Sequence, residues 1–335
     1  MTSTLMARGP SVSAVIPTRG RASMVVAAAA SALAQSEGLL EVIVVIDGED
    51  AATLKALEAM PESEPGGRLR IVQMEHPVGG AEARNMGVRA ARGEWIAFLD
   101  DDDLWLEHKL AVQLAAAERC TAAEPVISSA VLARGPRLDA VWPRRLYRTG
   151  EPMGEYLFDR RGWTYGEALL QTSTLLARTD LLLRLPFESG LKKHQDWDWL
   201  LRVHADPAVE VVQVAEPLAI FHVEGDRAST GRVPDWRFSH AWAVERRALF
   251  TPRAFSAFVA TECAAQAGRA GASAAERLSL LRAVAGGGSS TLRMWVLCAV
   301  FLVMPQRMRR AMRGMGAKLR RSGAGLGARP DVSGV

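Results

Sequence analysis

The chain has 335 residues, of which 49% are hydrophobic and 23% charged, and its net charge is +4. These values are typical of a folded globular protein with one large or two smaller α/β domains. The positive charge is concentrated in residues 305–335, which hold eight basic residues and one acidic residue. The basic pI therefore gives no indication that the main part of the chain binds nucleic acid.

The first half of the sequence alternates between strand and helix patterns. The run at 41–46 (EVIVVI) is apolar and β-branched throughout, as expected of a strand buried on both faces. Alternating strands and helices predict a mostly parallel sheet with right-handed crossovers, flanked by helices. We predict strands at 12–16, 41–46, 69–73 and 95–99, and helices at 22–34, 51–60, 81–91 and 104–120.

The pattern changes after residue 124. The segment 134–165 is irregular and rich in Arg, Gly, Pro and aromatic residues, and we interpret it as a substrate loop region. The chain is predicted to be helical after residue 221, with a flexible break at 286–290 and a disordered tail at 321–335. We predict strands at 126–132, 172–177 and 209–214, and helices at 180–185, 196–204, 236–250, 253–267 and 274–285.

The strand predicted at 95–99 ends in four consecutive carboxylates, Asp100 to Asp103. Adjacent like charges repel unless water or a cation stabilises them. Mg²⁺ and Mn²⁺ are commonly held by one or two carboxylates together with substrate phosphates, and ligands of α/β sheets bind at the carboxyl ends of strands. The pattern favours a metal that carries a phosphorylated substrate. The alternative is a solvated acidic turn in which Asp103 caps the following helix.

Three further motifs follow or flank the predicted strands, and with the acidic cluster they resemble family 2 glycosyltransferases of the GT-A fold. The chain has Ile16-Pro17-Thr18, Ile46-Asp47-Gly48, Ala83-Arg84-Asn85-Met86-Gly87 and Asp100-Asp101-Asp102-Asp103 where the family has I-P-T, V-D-G, A-R-N-x-G and D-x-D-D. The resemblance covers residues 10–225. It implies a nucleotide-sugar-binding half at 10–120 and an acceptor half at 121–225. The helical pattern beyond it predicts a separate C-terminal region at 226–320, a candidate for association with the membrane.

The resemblance also implies roles for individual residues. Asp47 would accept a hydrogen bond from the base, commonly uracil or thymine, and Arg84 would pair with the diphosphate or the base. Asp100 would hold the ribose, and Asp102 would bind Mn²⁺ or Mg²⁺ with His222 as a second ligand. Asn85 would hold the local turn, and Asp101 has no particular role. The implied nucleotide-sugar-binding residues are Pro17, Thr18, Arg19, Asp47, Arg84, Asn85, Asp100 and Asp101.

The family's acidic motif at the start of a helix resembles Gln195-Asp196 in this chain, so Asp196 is the candidate base that deprotonates the acceptor hydroxyl. A position near a helix N-terminus predicts a lowered pKa for this carboxyl. The alternative is a helix cap, with Asp198 as its companion. Trp197 and Trp199 can stack on sugars, although at least one of them fits the core better.

The resemblance implies an inverting, metal-dependent glycosyltransferase that moves a sugar from a UDP or dTDP donor to a glycan, a lipid-linked or another cell-envelope acceptor. Two alternatives stay open. One is a degenerate, non-catalytic protein that acts as an assembly partner at a membrane surface. The other is a nucleotidyltransferase of related fold, although residues 17–21 are poor in glycine for such an enzyme. A P-loop ATPase is excluded, because no GxxxxGK[ST] motif occurs.

The run at 294–304 (MWVLCAVFLVM) is apolar but shorter than the roughly 20 residues of a spanning helix. It is either a helix at the surface of an anionic membrane, supported by the basic residues that follow, or a buried helix. The three cysteines (Cys120, Cys263 and Cys298) have no zinc or disulfide spacing, and the N-terminus lacks the apolar segment of a signal peptide. We therefore expect a cytoplasmic protein at the inner face of the membrane.

Overall fold

The structure is a computed structural model that describes residues 9–136, 138–161, 166–223 and 233–304. The chain forms two compact units. The sheet unit runs to Val233 and includes Arg246–Thr251, and the helical unit comprises Pro234–Glu245 and the chain from Pro252 onward. The disordered tail predicted at 321–335 lies outside the described residues.

The first half of the sheet unit is a parallel sheet, as the alternating pattern predicts. The strand order is β3-β2-β1-β4, and all three pairings are parallel, so the carboxyl ends of the strands meet at one edge. The elements are β1 (Val12–Thr18), α1 (Ala22–Leu33), β2 (Leu39–Ile46), α2 (Ala51–Glu58), β3 (Leu69–Gln73), α3 (Gly80–Ala90) and β4 (Trp95–Phe98).

The strand β2 lies between β1 and β3 and shows why the continuous apolar run was informative. Val42, Val44 and Ile46 pack into a large cluster on one face of the sheet, whereas Ile43 and Val45 pack into a second cluster on the other face. All five side chains are fully buried. Both faces of this strand are therefore covered, as a strand with no alternating polar residues requires.

Antiparallel and parallel pairings are mixed in the second half of the same sheet. The order continues β4-β8-β6-β9-β5, and β7 pairs with β6 as a hairpin. The elements are β5 (Leu104–Trp105), α4 (Lys109–Glu118), β6 (Glu124–Gly135), β7 (Leu138–Trp142), α5 (Met153–Phe158), β8 (Leu176–Arg178), α6 (Thr179–Arg184), α7 (Gln195–His204) and β9 (Val209–His222).

Four predictions for this half were wrong. The strand predicted at 172–177 begins only at Leu176, and Thr172–Thr174 form a 3₁₀ turn before it. Residues 104 and 105 do not begin a helix but form β5, which pairs with Ile220 and Ala219 of β9. The strand predicted at 209–214 continues to His222, past a register shift opposite Ser129 and Ala130. The segment 134–165 is not irregular throughout, because it contains β7 and α5.

The helical unit carries the helices that the sequence predicts after residue 233, with different boundaries. The helix predicted at 236–250 ends at Glu245, and the one predicted at 253–267 is divided by a π-helical turn at Val259–Cys263. No helix among the described residues is long and apolar enough to cross a membrane. The elements are α8 (Trp236–Glu245), α9 (Pro252–Phe258), α10 (Ala264–Ala270), α11 (Ala274–Gly286) and α12 (Leu292–Val303).

Candidate functional site

A cleft of about 580 Å³ lies in the sheet unit, at the edge where β1, β2 and β4 end. It contains most of the nucleotide-binding residues that the sequence predicts, and it adds three polar residues that were missed: Arg21, Lys192 and Gln195. The cleft is lined by Pro17, Thr18, Arg19, Arg21, Asp47, Val78, Gly79, Gly80, Ala83, Arg84, Asp100, Asp101, Asp102, Gly190, Leu191, Lys192 and Gln195.

Two of the four consecutive carboxylates are buried and serve the fold. Asp101 accepts hydrogen bonds from Thr18 Oγ1 (2.8 Å) and from an Arg21 Nη1 atom (2.7 Å). Asp103 is 1% exposed and accepts from Ser173 Oγ at 2.7 Å. Burial and the neighbouring carboxylates raise the pKa of Asp103 to about 8. Asp103 therefore supports the turn, and the alternative in which it caps the next helix is wrong.

The other two carboxylates of the cluster line the cleft and are partly exposed. The Asp100 side chain is 27% exposed and lies 2.6 Å from Arg84 Nη2. The Asp102 side chain is 28% exposed, and its Oδ2 lies 3.4 Å from Arg21 Nη1. The cluster thus separates into two carboxylates that hold the protein together and two that can meet a ligand.

His222 lies beside this cluster because β9 ends there. Its ring Nδ1 is 2.7 Å from the main-chain oxygen of Asp102, and its backbone N–H donates to Asp103 Oδ1 at 3.2 Å. A carbonyl oxygen only accepts, so Nδ1 carries a hydrogen, and the other ring nitrogen, Nε2, is the one that could bind a metal in the neutral ring. The described residues contain no group of three or more His, Cys, Asp or Glu side chains arranged as a metal site. An ion held here would need ligands from substrate or water.

Asp47 lies at the end of β2 and lines the cleft, but its carboxylate is already engaged. It is 6% exposed, and it accepts from the backbone N–H groups of Val78 (2.7 Å) and Gly79 (3.0 Å). Gly79 has a φ of 96°, a conformation that suits glycine, and the helix α3 begins directly after it. Asp47 therefore fixes the loop that leads into α3.

The helix α3 holds the 187–195 segment, which leads into α7. Asn85 is 4% exposed, and its side chain accepts from the Phe187 N–H at 3.0 Å and donates to the Phe187 carbonyl at 2.8 Å. Arg84 Nη1 donates to Gln195 Oε1 at 3.0 Å. Asn85 is not among the residues that line the cleft, so any effect it has on nucleotide binding would act through the segment that it holds. Both ends of its amide bind backbone within the fold.

Asp196 is in the first turn of α7, next to the cleft-lining Gln195. Burial raises the pKa of its carboxyl, and the charge of Asp100 adds to this shift. The Trp197 backbone N–H and the charge of Arg84 act in the opposite direction. The expected lowering by the helix N-terminus is therefore wrong, because the loss of solvation outweighs it. A raised pKa suits a group that must accept a proton.

Asp198 is fully buried, and its two carboxylate oxygens each meet an arginine. Arg202 Nε lies 2.8 Å from one oxygen, and Arg246 Nε lies 2.9 Å from the other. The residue is therefore an internal anchor of α7 and not the companion in a helix cap. Because both oxygens are occupied inside the protein, Asp198 cannot replace Asp196 as a base.

The two tryptophans of α7 have different surroundings. Trp199 is fully buried and stacks on Phe187 with ring centroids 5.3 Å apart, which confirms that one of the pair belongs to the core. Trp197 is partly exposed and stacks on His194, with 4.8 Å between ring centroids. Burial lowers the pKa of His194 to about 3, so this ring is neutral at physiological pH.

The residues that sequence reasoning missed had a signal in the sequence. Arg21 follows β1 in a short polar run. A residue there lies at the same edge of the sheet as the Ile16-Pro17-Thr18 motif at the end of β1. Lys192 and Gln195 stand directly before the predicted base in the chain. No pattern in the sequence indicates that α3 draws the 187–195 segment to the cleft, because this contact joins parts of the chain far apart.

Comparisons with known proteins agree with this geometry. Residues 13–168 match the sequence model of the family described as Glycosyl transferase family 2. The chain is 27% identical over 225 residues to the amylovoran biosynthesis glycosyltransferase AmsB of Erwinia amylovora, covering 64% of this chain and 72% of AmsB. It is 33% identical over 104 residues to the UDP-Glc:alpha-D-GlcNAc-diphosphoundecaprenol beta-1,3-glucosyltransferase WfgD of Escherichia coli, covering 31% of this chain and 39% of WfgD.

A solved structure shares the fold. The crystal structure of S. aureus TarS superposes with a TM-score of 0.53 at 20% identity, covering 89% of this chain and 50% of TarS. At this identity the likeness concerns the fold alone. The chain has the GT-A fold, it is a glycosyltransferase, and its residues 13–168 belong to glycosyl transferase family 2.

Proposed function

We propose that the cleft binds a nucleotide-diphosphate sugar, with UDP or dTDP as the nucleotide, and that the protein transfers the sugar with inversion. The acceptor is a hydroxyl group of a glycan or of a lipid-linked intermediate in the synthesis of a cell-envelope polysaccharide. The similarity to AmsB, which acts in amylovoran biosynthesis, and to WfgD, a UDP-glucose-dependent transferase with a diphosphoundecaprenol-linked acceptor, supports this class of product, donor and acceptor. The nucleotide would meet Pro17, Thr18, Arg19, Asp47 and Asp100, since these residues line the cleft.

One observation carries the proposal: Asp100 and Asp102 open into a cleft at the carboxyl ends of parallel strands, with arginine and lysine side chains around them. Such a cleft suits an anionic ligand together with a cation. Asp102 and the Nε2 of His222 fit a divalent ion of the Mn²⁺ or Mg²⁺ type, because a carboxylate and an imidazole held by a carbonyl are common ligands. When bound, the ion stabilises the charge of the leaving diphosphate.

Asp196 would supply the base for the transfer. The acceptor oxygen attacks the anomeric carbon from the face opposite the diphosphate, and the carbon–oxygen bond to the diphosphate breaks. The proton of the acceptor hydroxyl passes to the Asp196 carboxylate. A single displacement of this kind inverts the configuration and needs one base, for which a carboxyl with a raised pKa is suited.

The helix α12 supports a contact with an anionic membrane surface. One side of this helix is buried in the helical unit, whereas Leu292, Val296 and Val303 on the other side are 81%, 41% and 73% exposed. The apolar residues on this face suit the acyl chains of a bilayer, and the basic residues of 305–335 suit its negative headgroups. Only the exposed side of α12 can contact a bilayer, so the membrane-contacting surface is smaller than the whole apolar run suggests. The buried residues of α12 are Met294, Leu297, Cys298 and Leu302.

Hydrolysis of nucleotide sugars without acceptor tests the proposed function. We expect release of UDP or dTDP from the donor with Mn²⁺, and loss of this release in Asp102→Ala and after removal of metal by a chelator. Asp139→Ala is the control, because Asp139 is 77% exposed and does not line the cleft. Full activity of chelator-treated protein would contradict the metal's role. Binding without turnover would favour the assembly partner, and pyrophosphate release from a nucleoside triphosphate would favour the nucleotidyltransferase.

A further inference from the structure

We propose that Lys192, in the segment that leads into α7, contacts the diphosphate of the donor, and that α3 holds this segment at the cleft. The inference rests on the proposed function, since it concerns the phosphates of the same donor. It assigns a binding role to a residue that no motif of the sequence includes.

The charges of the cleft single out two of its basic side chains. Arg21 pairs with Asp101 at 2.7 Å, and Arg84 pairs with Asp100 at 2.6 Å. Arg19 and Lys192 also line the cleft and are exposed, and neither side chain forms an ion pair or hydrogen bond with the described residues. These two cations can therefore meet an added anion without first giving up a carboxylate partner.

The position of Lys192 is set by hydrogen bonds on both sides of it in the chain. Gln195 Nε2 donates to the Leu191 carbonyl at 2.7 Å, while its Oε1 accepts from Arg84 Nη1 at 3.0 Å. At the other end of the same segment, Asn85 holds the backbone of Phe187. The residues of the A-R-N motif thus tie this segment to α3 at both ends, and the backbone next to Lys192 is attached to the cleft wall.

The charge balance of the cleft explains why a basic side chain without a carboxylate partner is needed to bind a diphosphate. The cleft is lined by four carboxylates and four basic side chains, so it carries no excess of positive charge for a diphosphate. The carboxylates of Asp100 and Asp102 would repel the phosphates, and a metal ion alone compensates part of this charge. A lysine is a compact point charge on a flexible stem, and it suits a phosphate whose exact position varies with the donor.

The affinities of nucleoside diphosphates and monophosphates test this assignment by calorimetry. Wild-type protein, Lys192→Gln, Lys192→Arg and Lys193→Gln are titrated with UDP, UMP, dTDP and dTMP at a fixed Mn²⁺ concentration. We expect Lys192→Gln to weaken diphosphate binding about tenfold, the usual loss for one charged hydrogen bond, while monophosphate binding changes little. Lys192→Arg should keep most of the affinity. Lys193→Gln is the matched control, because Lys193 does not line the cleft.

The outcomes separate this inference from the proposed function. If wild-type protein prefers diphosphates and Lys192→Gln keeps the same preference, Lys192 does not contact the diphosphate, whereas the proposed donor stands. If wild-type protein binds neither UDP nor dTDP, the proposed donor itself is overturned and the inference falls with it. Circular dichroism and the melting temperature check that each variant is folded, which we expect because the Lys192 side chain is exposed.

Discussion

Asp196 and Asp198 stand two residues apart on α7, yet their surroundings give them different tasks. Asp198 has both carboxylate oxygens bound by arginines, at 2.8 and 2.9 Å. Asp196 accepts a hydrogen bond from the Trp197 backbone N–H at 2.9 Å, and it follows a residue that lines the cleft. A base needs an oxygen that can take a proton from substrate, so only Asp196 is suited to this role.

We predict that Asp196→Asn keeps donor binding and lowers sugar transfer by about 10²–10⁴-fold, the usual contribution of a general base. The pH profile adds a second readout. Because burial raises the pKa of this carboxyl, the protonated and inactive form persists to higher pH than for an ordinary aspartate, whose pKa is about 3.9. Transfer should rise with pH as Asp196 loses its proton. Transfer by Asp196→Asn at the wild-type rate would assign the base to another group.

For the acidic cluster, the sequence predicts where the site lies but not which of the four carboxylates are buried. The four adjacent carboxylates at a strand end indicated the site, and Asp100 and Asp102 do line the cleft. The buried members, Asp101 and Asp103, are bound by the hydroxyls of Thr18 and Ser173, which come from other parts of the chain. The sequence around the cluster does not reveal these contacts. The burial that raises the pKa of Asp196 likewise comes from tertiary packing and has no local signal.

At the scale of elements, α7 is anchored by the buried group of Asp198, Arg202 and Arg246. Arg202 is one turn further along the same helix, whereas Arg246 belongs to the part of the sheet unit that returns after residue 245. A buried ion pair adds little to folding stability compared with well-packed apolar residues in the same place. Removing one partner, however, leaves the other charge buried without compensation and is strongly destabilising. Asp198 therefore matters for the position of the helix that carries the candidate base.

We predict that Asp198→Asn lowers the free energy of unfolding by about 3–5 kcal/mol, because two arginines lose their carboxylate in a buried environment. Urea unfolding followed by circular dichroism measures this loss. Asp196→Asn on the same turn is the matched control and should change the unfolding free energy by less than about 1 kcal/mol, as for a residue outside a buried ion network. Equal stability of Asp198→Asn and wild type would show that the arginines find other partners.

The elements predicted correctly are those with long, continuous patterns. The strands near 12–16, 41–46 and 69–73 were found because each is a short run rich in apolar and β-branched residues, and the predicted helices lie between them. The strand β5 has two residues and exists because Leu104 and Trp105 pair with β9, so no periodicity can reveal it. The extension of β9 to His222 was missed because Glu216 and Pro217 interrupt its pattern.

At the scale of the molecule, the chain combines a sheet unit that holds the cleft with a helical unit whose last described helix is α12. The sequence predicted a helical region in this part of the chain, and the described helices lie there. It did not predict that one side of α12 is buried while Leu292, Val296 and Val303 are exposed, because every residue of the run is apolar. Such a run has no amphipathic signal, so the side that packs is decided by the neighbouring helices.

We predict that the full chain binds anionic vesicles, that binding weakens as salt rises, and that part of it persists at high salt. The salt-sensitive part comes from the basic residues of 305–335, whose charges are screened over about 8 Å at physiological ionic strength. A triple variant, Leu292→Ser with Val296→Ser and Val303→Ser, should lose the part that salt does not remove. Vesicle flotation measures both parts. Binding equal to wild type in this variant would exclude α12 as the membrane-contacting face.

The most direct test of the central claim is the melting temperature of the protein with UDP, dTDP and GDP, with and without Mn²⁺. A ligand of the native state at one hundred times its Kd adds about 2.7 kcal/mol of stability. We predict that UDP or dTDP raises the melting temperature, that Mn²⁺ increases this rise, and that the increase disappears in Asp102→Ala. If none of the three nucleotides changes the melting temperature with or without Mn²⁺, the cleft is not a nucleotide-sugar site.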